Sequence, residues 1–383
     1  MMKLIRLSVE GLMLFKERVE IDFFAEQKVM SDNCEMLSNP FGKIFTNNVL
    51  SIVGINASGK TSLLKVITFA LKMLNGDSIN NIKCNDVLTE SKRVNFEIFF
   101  YDDNNGLCKL NTCIELENEN NLEERYIISE ETLYRKKVSH VRAKKDMFVF
   151  DETEYLMKRE SDAEFLKDDI SIVISVNKNN GFKTKDLINL TNINLLGMIG
   201  DFPRELIEFL DPSIKKIGFN KKTKEITLEF YEREIISVSN PIQLERYLSS
   251  GTIKGITIFI NAMMIIEEGG YLIIDELENH FNREIVATLV RFFMSETVNK
   301  KGATLIFTTH YSELLDEIER NDSIYLVRNR GGIAAQKLST ILKRNDIKKS
   351  EAFKSDYLDG TVPSYEAYIN LKNAIIDGKI KEA

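Results

Sequence analysis

The chain has 383 residues, 43% of them hydrophobic and 28% charged, with five prolines and no tryptophan; this is enough for a full core, in one domain with a large insertion or in two, and it argues against Pro-rich linkers. A net charge of −7 argues against a surface that coats nucleic acid along its whole extent. Four cysteines in so long a chain make no disulfide framework and fit a reducing cytosol, and the longest apolar run, Gly255 to Ile266, is interrupted by Asn261 and too short for a bilayer.

In chain order, Lys3 to Val9 alternates like a strand and carries no cleavable signal pattern; Val19 to Phe23 reads as a second strand. Val49 to Val53 is a short apolar run that stops at Gly54. The following stretch, Gly54-Ile55-Asn56-Ala57-Ser58-Gly59-Lys60-Thr61, fits G-x-x-x-x-G-K-[ST]. From Thr61 to Leu74 the apolar positions Leu63, Leu64, Ile67, Ala70, Leu71 and Leu74 recur at helical spacing. The loop therefore sits between a strand and a helix, as binding of a nucleoside triphosphate requires.

Val94 to Tyr101 and Leu107 to Leu116 read as strands joined by an Asp-Asp-Asn-Asn-Gly turn, with shorter strands expected at Tyr126 to Ile128, Thr132 to Arg135 and Met147 to Phe150. Cys108 and Cys113 could approach each other on a hairpin. Three histidines and no second cysteine pair make zinc there the minor reading. The densest basic run is Arg135 to Lys145; Lys215, Lys216, Lys221, Lys222 and Lys224 form another. Such runs are ordinarily solvated faces, with nucleic-acid contact as the alternative. Ser161 to about Leu210 is mainly helical by pattern, with a strand-like Ser171 to Val176, and Ile214 to Phe219 with Glu225 to Phe230 make a hairpin. No sustained heptads occur, so the insertion is a compact lobe without a long coiled coil.

From Thr252 the pattern becomes α/β: a helix to Glu268, the strand Tyr271 to Ile274, a helix near Arg283 to Ser295, the strand Ala303 to Phe307, a helix after His310, and a last main-sheet strand at Ser323 to Val327. Such alternation predicts a mainly parallel sheet flanked by helices. Ligands in such sheets sit beyond the C-terminal strand ends, and Gly54, Asp275 and His310 all follow strands.

In the loop, glycines let peptide N–H groups curl around phosphate oxygens, and the helix adds its positive end. The nucleotide-binding set is Gly54, Asn56, Ala57, Ser58, Gly59, Lys60, Thr61 and Ser62. Lys60 is expected on the β- and γ-phosphates, and the Thr61 hydroxyl on magnesium. Asp275 and Glu276 are adjacent carboxylates ending an apolar strand, an arrangement a cation relieves. A second Ser/Gly-rich helix start, Leu248-Ser249-Ser250-Gly251-Thr252, is either an ordinary N-cap or another phosphate-binding surface. One chain rarely needs two such surfaces for one nucleotide, so the second is expected to close on the nucleotide of another copy.

In this order, the phosphate loop, Leu248 to Thr252, Ile273-Ile274-Asp275-Glu276-Leu277-Glu278-Asn279 and Thr308-Thr309-His310 resemble the ABC-type ATPase heads of the SMC and RecF-like class. Within that class the chain is most similar to compact bacterial ATPases of the phage-defence, overcoming-lysogenisation-defect type. The resemblance covers roughly the first hundred residues and Leu244 to Asn329. It implies an α/β P-loop head with an antiparallel β subdomain, divided into an N-terminal lobe (1–102), an insertion (103–240), a C-terminal lobe (241–330) and a tail (331–383). It also implies ATP and Mg2+ as cofactors, with Thr61 and Asp275 on the metal, Glu276 as the base polarising water, His310 sensing the γ-phosphate beside Lys60, and Ser249 and Gly251 reaching the nucleotide across a homodimer.

The chain departs from that pattern in three places. No glutamine stands where a Q-loop is expected, and Asn95 and Glu97 are offered instead. The His-Pro usually found two residues later than His280 is missing, and Asn279 and Asn282 are offered as the dimer-contact residues. Near Gly11 the usual Asn-Phe-Arg is missing, which leaves the adenine contacts unassigned.

The function expected from the resemblance is a cytoplasmic regulatory ATPase of an anti-phage system, with no membrane contact. Its effector would be a separate protein, because the tail after Asn329 is too short for a stable catalytic domain. The alternatives are a DNA-repair ATPase acting on DNA directly, a transporter nucleotide-binding subunit, disfavoured by the strand-rich insertion between Lys60 and Ser249, and a non-catalytic scaffold, disfavoured by Asp275 and Glu276.

Overall fold

A computed structural model of the chain describes residues 2–102, 104–117, 124–159, 166–175, 181–189, 202–220, 222–223, 225–232, 234–279, 281–343 and 347–377. Two six-stranded sheets organise it. The main sheet runs Thr184–Asp186, Tyr271–Ile274, Thr304–Thr309, Val49–Val53, Ile324–Asn329, Ile333–Lys337; the first five strands are parallel and the last antiparallel. Its three central strands are buried at every residue, which is why they read as continuous apolar runs.

Alternate residues of those strands feed two cores. Leu50, Ile52, Ile273 and Ile306 face the helix Lys60–Leu74, and Val49, Val53, Leu272, Ile274 and Phe307 face the helices Ser250–Glu268 and Arg283–Met294. The second sheet is wholly antiparallel, in the order Val19–Asp22, Lys3–Glu10, Arg93–Tyr101, Gly106–Glu117, Arg125–Lys137, Tyr155–Lys158. It covers the outer side of helix Lys60–Leu74, where Phe69 stacks on Phe96 at 5.6 Å. A third sheet, Ile214–Asn220, Glu225–Phe230 and Ile236–Val238, shares a core with Leu248, Ile253 and Ile256 and so supports the start of helix Ser250–Glu268. The α/β class with a mainly parallel sheet, flanking helices and antiparallel sheets is therefore the observed architecture.

Several local expectations are corrected. The two short strands at 126–135 are one strand, Arg125–Lys137. The polar stretch between them does not break it, because the buried Glu131 accepts hydrogen bonds from the Thr112 and Ser171 hydroxyls and the Ile172 peptide, all at 2.7 Å. Met147 to Phe150 is not a strand; the Asp146 carboxylate takes the Ala143 N–H at 2.8 Å and tightens Lys144–Phe148 into a 3-10 turn. The strand-like 171–176 is likewise a 3-10 turn at Ile172–Ser175. Of the helical stretch expected at 161–210, the described residues contain the helix Arg204–Leu210 and the polar edge strand Thr184–Asp186; residues 161–165, 176–180 and 190–201 lie outside them.

Ile324–Asn329 is followed by one further strand of the main sheet, Ile333–Lys337, reached through Gly331 and Gly332 at φ of 69° and 127°. Beyond it, Leu338, Leu342, Ala352 and Phe353 join the main core, whereas helix Tyr365–Ile376 buries none of its residues. Cys108 and Cys113 lie on one strand, five positions apart and so on opposite faces. Among the described residues no group of three or more His, Cys, Asp and Glu side chains is placed to hold a metal ion, and no helix is long and apolar enough to cross a membrane.

Candidate nucleotide-binding site

The loop begins where Val49–Val53 leaves the sheet between its neighbours Thr304–Thr309 and Ile324–Asn329. Gly54 is required there: a Cβ would lie 2.4 Å from the Val327 carbonyl and 2.5 Å from Ser58 Oγ. Ala57 at φ 59° and Gly59 at φ 100° supply the left-handed turns that wrap a chain around an anion. Asn56 and Ala57 are exposed, Ser62 is half-buried in the first turn of the helix, and Ser58 is buried with its hydroxyl unpartnered. Lys60 donates to the carbonyls of Gly54 (3.1 Å) and Ile55 (3.0 Å) and lies 3.4 Å from His310 Nδ1. Burial lowers the Lys60 pKa, while the carboxylates of Glu278, Asp275 and Glu276 oppose that shift.

The carboxylate side of the site comes from the ends of two adjacent strands. Asp275 follows Tyr271–Ile274; its Oδ2 accepts the Thr61 hydroxyl at 2.8 Å and its Oδ1 accepts the Thr308 hydroxyl at 2.6 Å. Thr308 Oγ1 in turn accepts the Glu276 peptide N–H at 2.7 Å, so a fully buried hydroxyl couples the two acidic residues. Glu276 sits at φ 46°, a left-handed conformation costly for a non-glycine residue and typical of functional turns. Its Oε1 lies 3.9 Å from His310 Nε2, and its Oε2 accepts from the Asn279 amide.

The sequence-derived residues thus divide in two. Lys60, Thr61, Asp275, Glu276 and His310 converge on one site at the C-terminal strand ends. Ser249 and Gly251 are at the start of Ser250–Glu268, where Ser249 is exposed and keeps its hydrogen bonds local, accepting the Thr252 N–H at 3.0 Å with the Thr252 hydroxyl at 2.8 Å. Asn279 is spent on Glu276, and Asn282 caps helix Arg283–Met294. Glu97 is paired with Arg18 and Lys109, and with Asn95 it lines the outer groove of the antiparallel sheet.

Three further residues belong to this neighbourhood. Thr308 was visible in the Thr-Thr-His string but had no assigned role. Glu278, 5% exposed, accepts the His310 peptide N–H; the only sequence signal was a third carboxylate in Asp-Glu-x-Glu. Lys254, buried one turn into helix Ser250–Glu268, has its pKa lowered by that burial, against the pull of Glu276.

Three of the six cations in the densest basic run are engaged within the chain, and Lys137, Arg142 and Lys145 are exposed. Arg135 pairs with Asp102 at 2.5 Å, and Lys136 is buried on the carbonyls of Asp146 and Val149. Lys144 donates to the carbonyls of Ala25 (2.6 Å) and Glu26 (2.8 Å). In the second run Lys215 pairs with Glu229, and Lys221 and Lys224 lie outside the described residues.

No protein-family model matches this sequence, and no curated protein matches it. Among solved structures the chain is similar to the recombination mediator protein RecF with ATP, from the RecFOR pathway. The identity is 10%, over 88% of this chain and 99% of that one, with a TM-score of 0.37.

Proposed function

We propose that the chain is an ABC-type ATPase that binds ATP and Mg2+ and closes as a homodimer around them. The observation that carries this reading is the 2.8 Å hydrogen bond from the Thr61 hydroxyl to Asp275, with Lys60, Glu276 and His310 grouped around it. A hydroxyl and a carboxylate at the mouth of a phosphate loop are the hard oxygen donors that suit magnesium. The loop also fits a triphosphate: it carries the buried, unpartnered Ser58 hydroxyl, and Ala57 and Gly59 hold the left-handed turns of an anion-wrapping chain.

In this reading Lys60 leaves the Gly54 and Ile55 carbonyls for the β- and γ-phosphates. Thr61 and Asp275 hold magnesium, which when bound neutralises phosphate charge. Glu276, its peptide fixed by Thr308 and one oxygen fixed by Asn279, would polarise the attacking water with its other oxygen, and His310, 3.9 Å from that oxygen, would sense the γ-phosphate. Ser249 and Gly251 complete the site of the opposite copy, a role supported by the exposure of Ser249.

The finer reading, a regulatory ATPase of bacterial anti-phage defence acting with a separately encoded effector in the cytoplasm, rests on the resemblance of its motifs; the absence of disulfides among the four cysteines is compatible with that compartment. Direct action on DNA gains no specific support, since Arg135, Lys136 and Lys144 of the densest basic run are engaged within the chain. The test is magnesium-dependent phosphate release. Lys60→Ala is expected to abolish binding or turnover, and Glu276→Gln to bind ATP and stall. Wild-type turnover by Glu276→Gln would remove Glu276 from the role of base.

A further inference from the structure

Glu278 meets the site at the His310 turn. One carboxylate oxygen, Oε1, accepts the peptide N–H of His310, while Oε2 is buried with no hydrogen-bond partner. A carboxylate oxygen held out of water without a donor is unfavourable unless a positive charge lies close by. Lys60 stands at the same histidine turn, and Glu278 is the first of the three carboxylates that oppose the lowering of its pKa by burial. Lys60 Nζ itself lies 3.4 Å from the His310 ring, so the lysine, the histidine turn and Glu278 form one electrostatic unit.

We propose that Glu278 is a positioning residue that links the loop lysine to the histidine turn, competing with bound triphosphate for the Lys60 ammonium by its charge and holding the His310 peptide by its oxygen. The proposal rests on the ATPase reading. A lysine drawn onto phosphate leaves Glu278 with less positive charge nearby, which strengthens its hold on the His310 N–H. Occupation of the phosphate site is thereby passed to the residue beside Glu276.

The two functions separate by substitution in the full-length chain. Glu278→Gln removes the charge and keeps an oxygen for the His310 N–H; Glu278→Ala removes both. Both variants are expected to bind ATP with magnesium at least threefold more tightly in equilibrium dialysis. Turnover is expected to fall at least tenfold further in Glu278→Ala than in Glu278→Gln. A side chain that only filled space would not separate affinity from turnover in this way.

Unchanged or weaker ATP affinity in Glu278→Gln would overturn the proposal, as would equal turnover in the two variants. If Glu278→Ala does not fold, the affinity of Glu278→Gln decides alone. A wild-type chain without turnover would overturn the ATPase reading and this proposal together; an active wild type with unaltered variants would overturn only the proposal.

Discussion

Thr308 donates to Asp275 and accepts from the Glu276 peptide, so its hydroxyl sets the direction of both acids. Replacing it by valine keeps the shape but leaves a buried Asp275 oxygen and the part-buried Glu276 N–H without this partner, at a cost of about 1–3 kcal/mol. Thr308→Val is expected to lower the unfolding midpoint in urea and to depress turnover, and Thr308→Ser to restore both; a Val variant equal to wild type would remove Thr308 from this role.

Lys3 gives a prediction that depends on pH. It is buried beneath the main sheet's strand starts, donating to the Gly302 carbonyl and lying 3.4 Å from the Thr304 hydroxyl, and burial lowers its pKa to about 7. The unfolded chain therefore binds the extra proton more readily. The resulting cost is full below about pH 7 and disappears as pH rises toward the unfolded value near 10.5. Lys3→Met is expected to be the more stable protein at pH 7, and its advantage to shrink by about 2 kcal/mol by pH 9. A constant difference in urea unfolding at the two pH values would show that Lys3 carries no such cost. The sequence displays Lys3 only as a polar residue in an alternating strand, since the groups that surround it are three hundred residues away.

At the level of elements, the start of helix Ser250–Glu268 decides whether the proposed nucleotide site is composite. Ser249 is its N-cap, so replacing it by a residue that cannot cap costs roughly 1 kcal/mol of local stability, which is too little to abolish activity in a well-folded chain. Lys60→Ala and Ser249→Arg are each expected to be inactive when prepared separately. A mixed dimer would pair an intact Lys60 with an intact Ser249 at one of its two sites. ATPase activity appearing only after mixing is the expected result; normal hydrolysis by Ser249→Arg alone would leave an ordinary P-loop ATPase. The capping role of Ser249 was legible from the Ser-Ser-Gly-Thr string, whereas the support beneath it from Ile214–Asn220 and Glu225–Phe230 was not, because that packing depends on contacts distant in sequence.

At the level of the whole molecule, the tail divides into an integrated part and an appended one. Thr361 is buried and bonded to Asp356, while helix Tyr365–Ile376 contributes no buried residue. A chain ended at Val362 is expected to melt within about 2 °C of the full chain, as a loss without buried area changes stability little. A larger drop would mean that the helix packs in solution. The surface charge gives a second expectation. Lys137, Arg142 and Lys145 are the exposed cations of the densest basic run, and neutralising them is expected to leave DNA retention on filters unchanged. A salt-dependent loss of retention would instead assign that face to nucleic acid.

The sequence by itself determined the strand–loop–helix at Gly54, the apolar central strands and the acidic and histidine turns at their ends. Each of these is written in local periodicity or in a contiguous motif, and burial on both sheet faces leaves a continuous apolar run. Only the tertiary structure decided what the polar residues meet. It joined Thr61 to Asp275, buried Glu131 among donors from other elements and Glu278 against the His310 peptide, occupied Lys136 and Lys144 with backbone carbonyls, and added the short polar strand Thr184–Asp186 to the main sheet. The physical reason is that a polar side chain's partner is set by which strands lie side by side, and strand order is a long-range property that no local window contains.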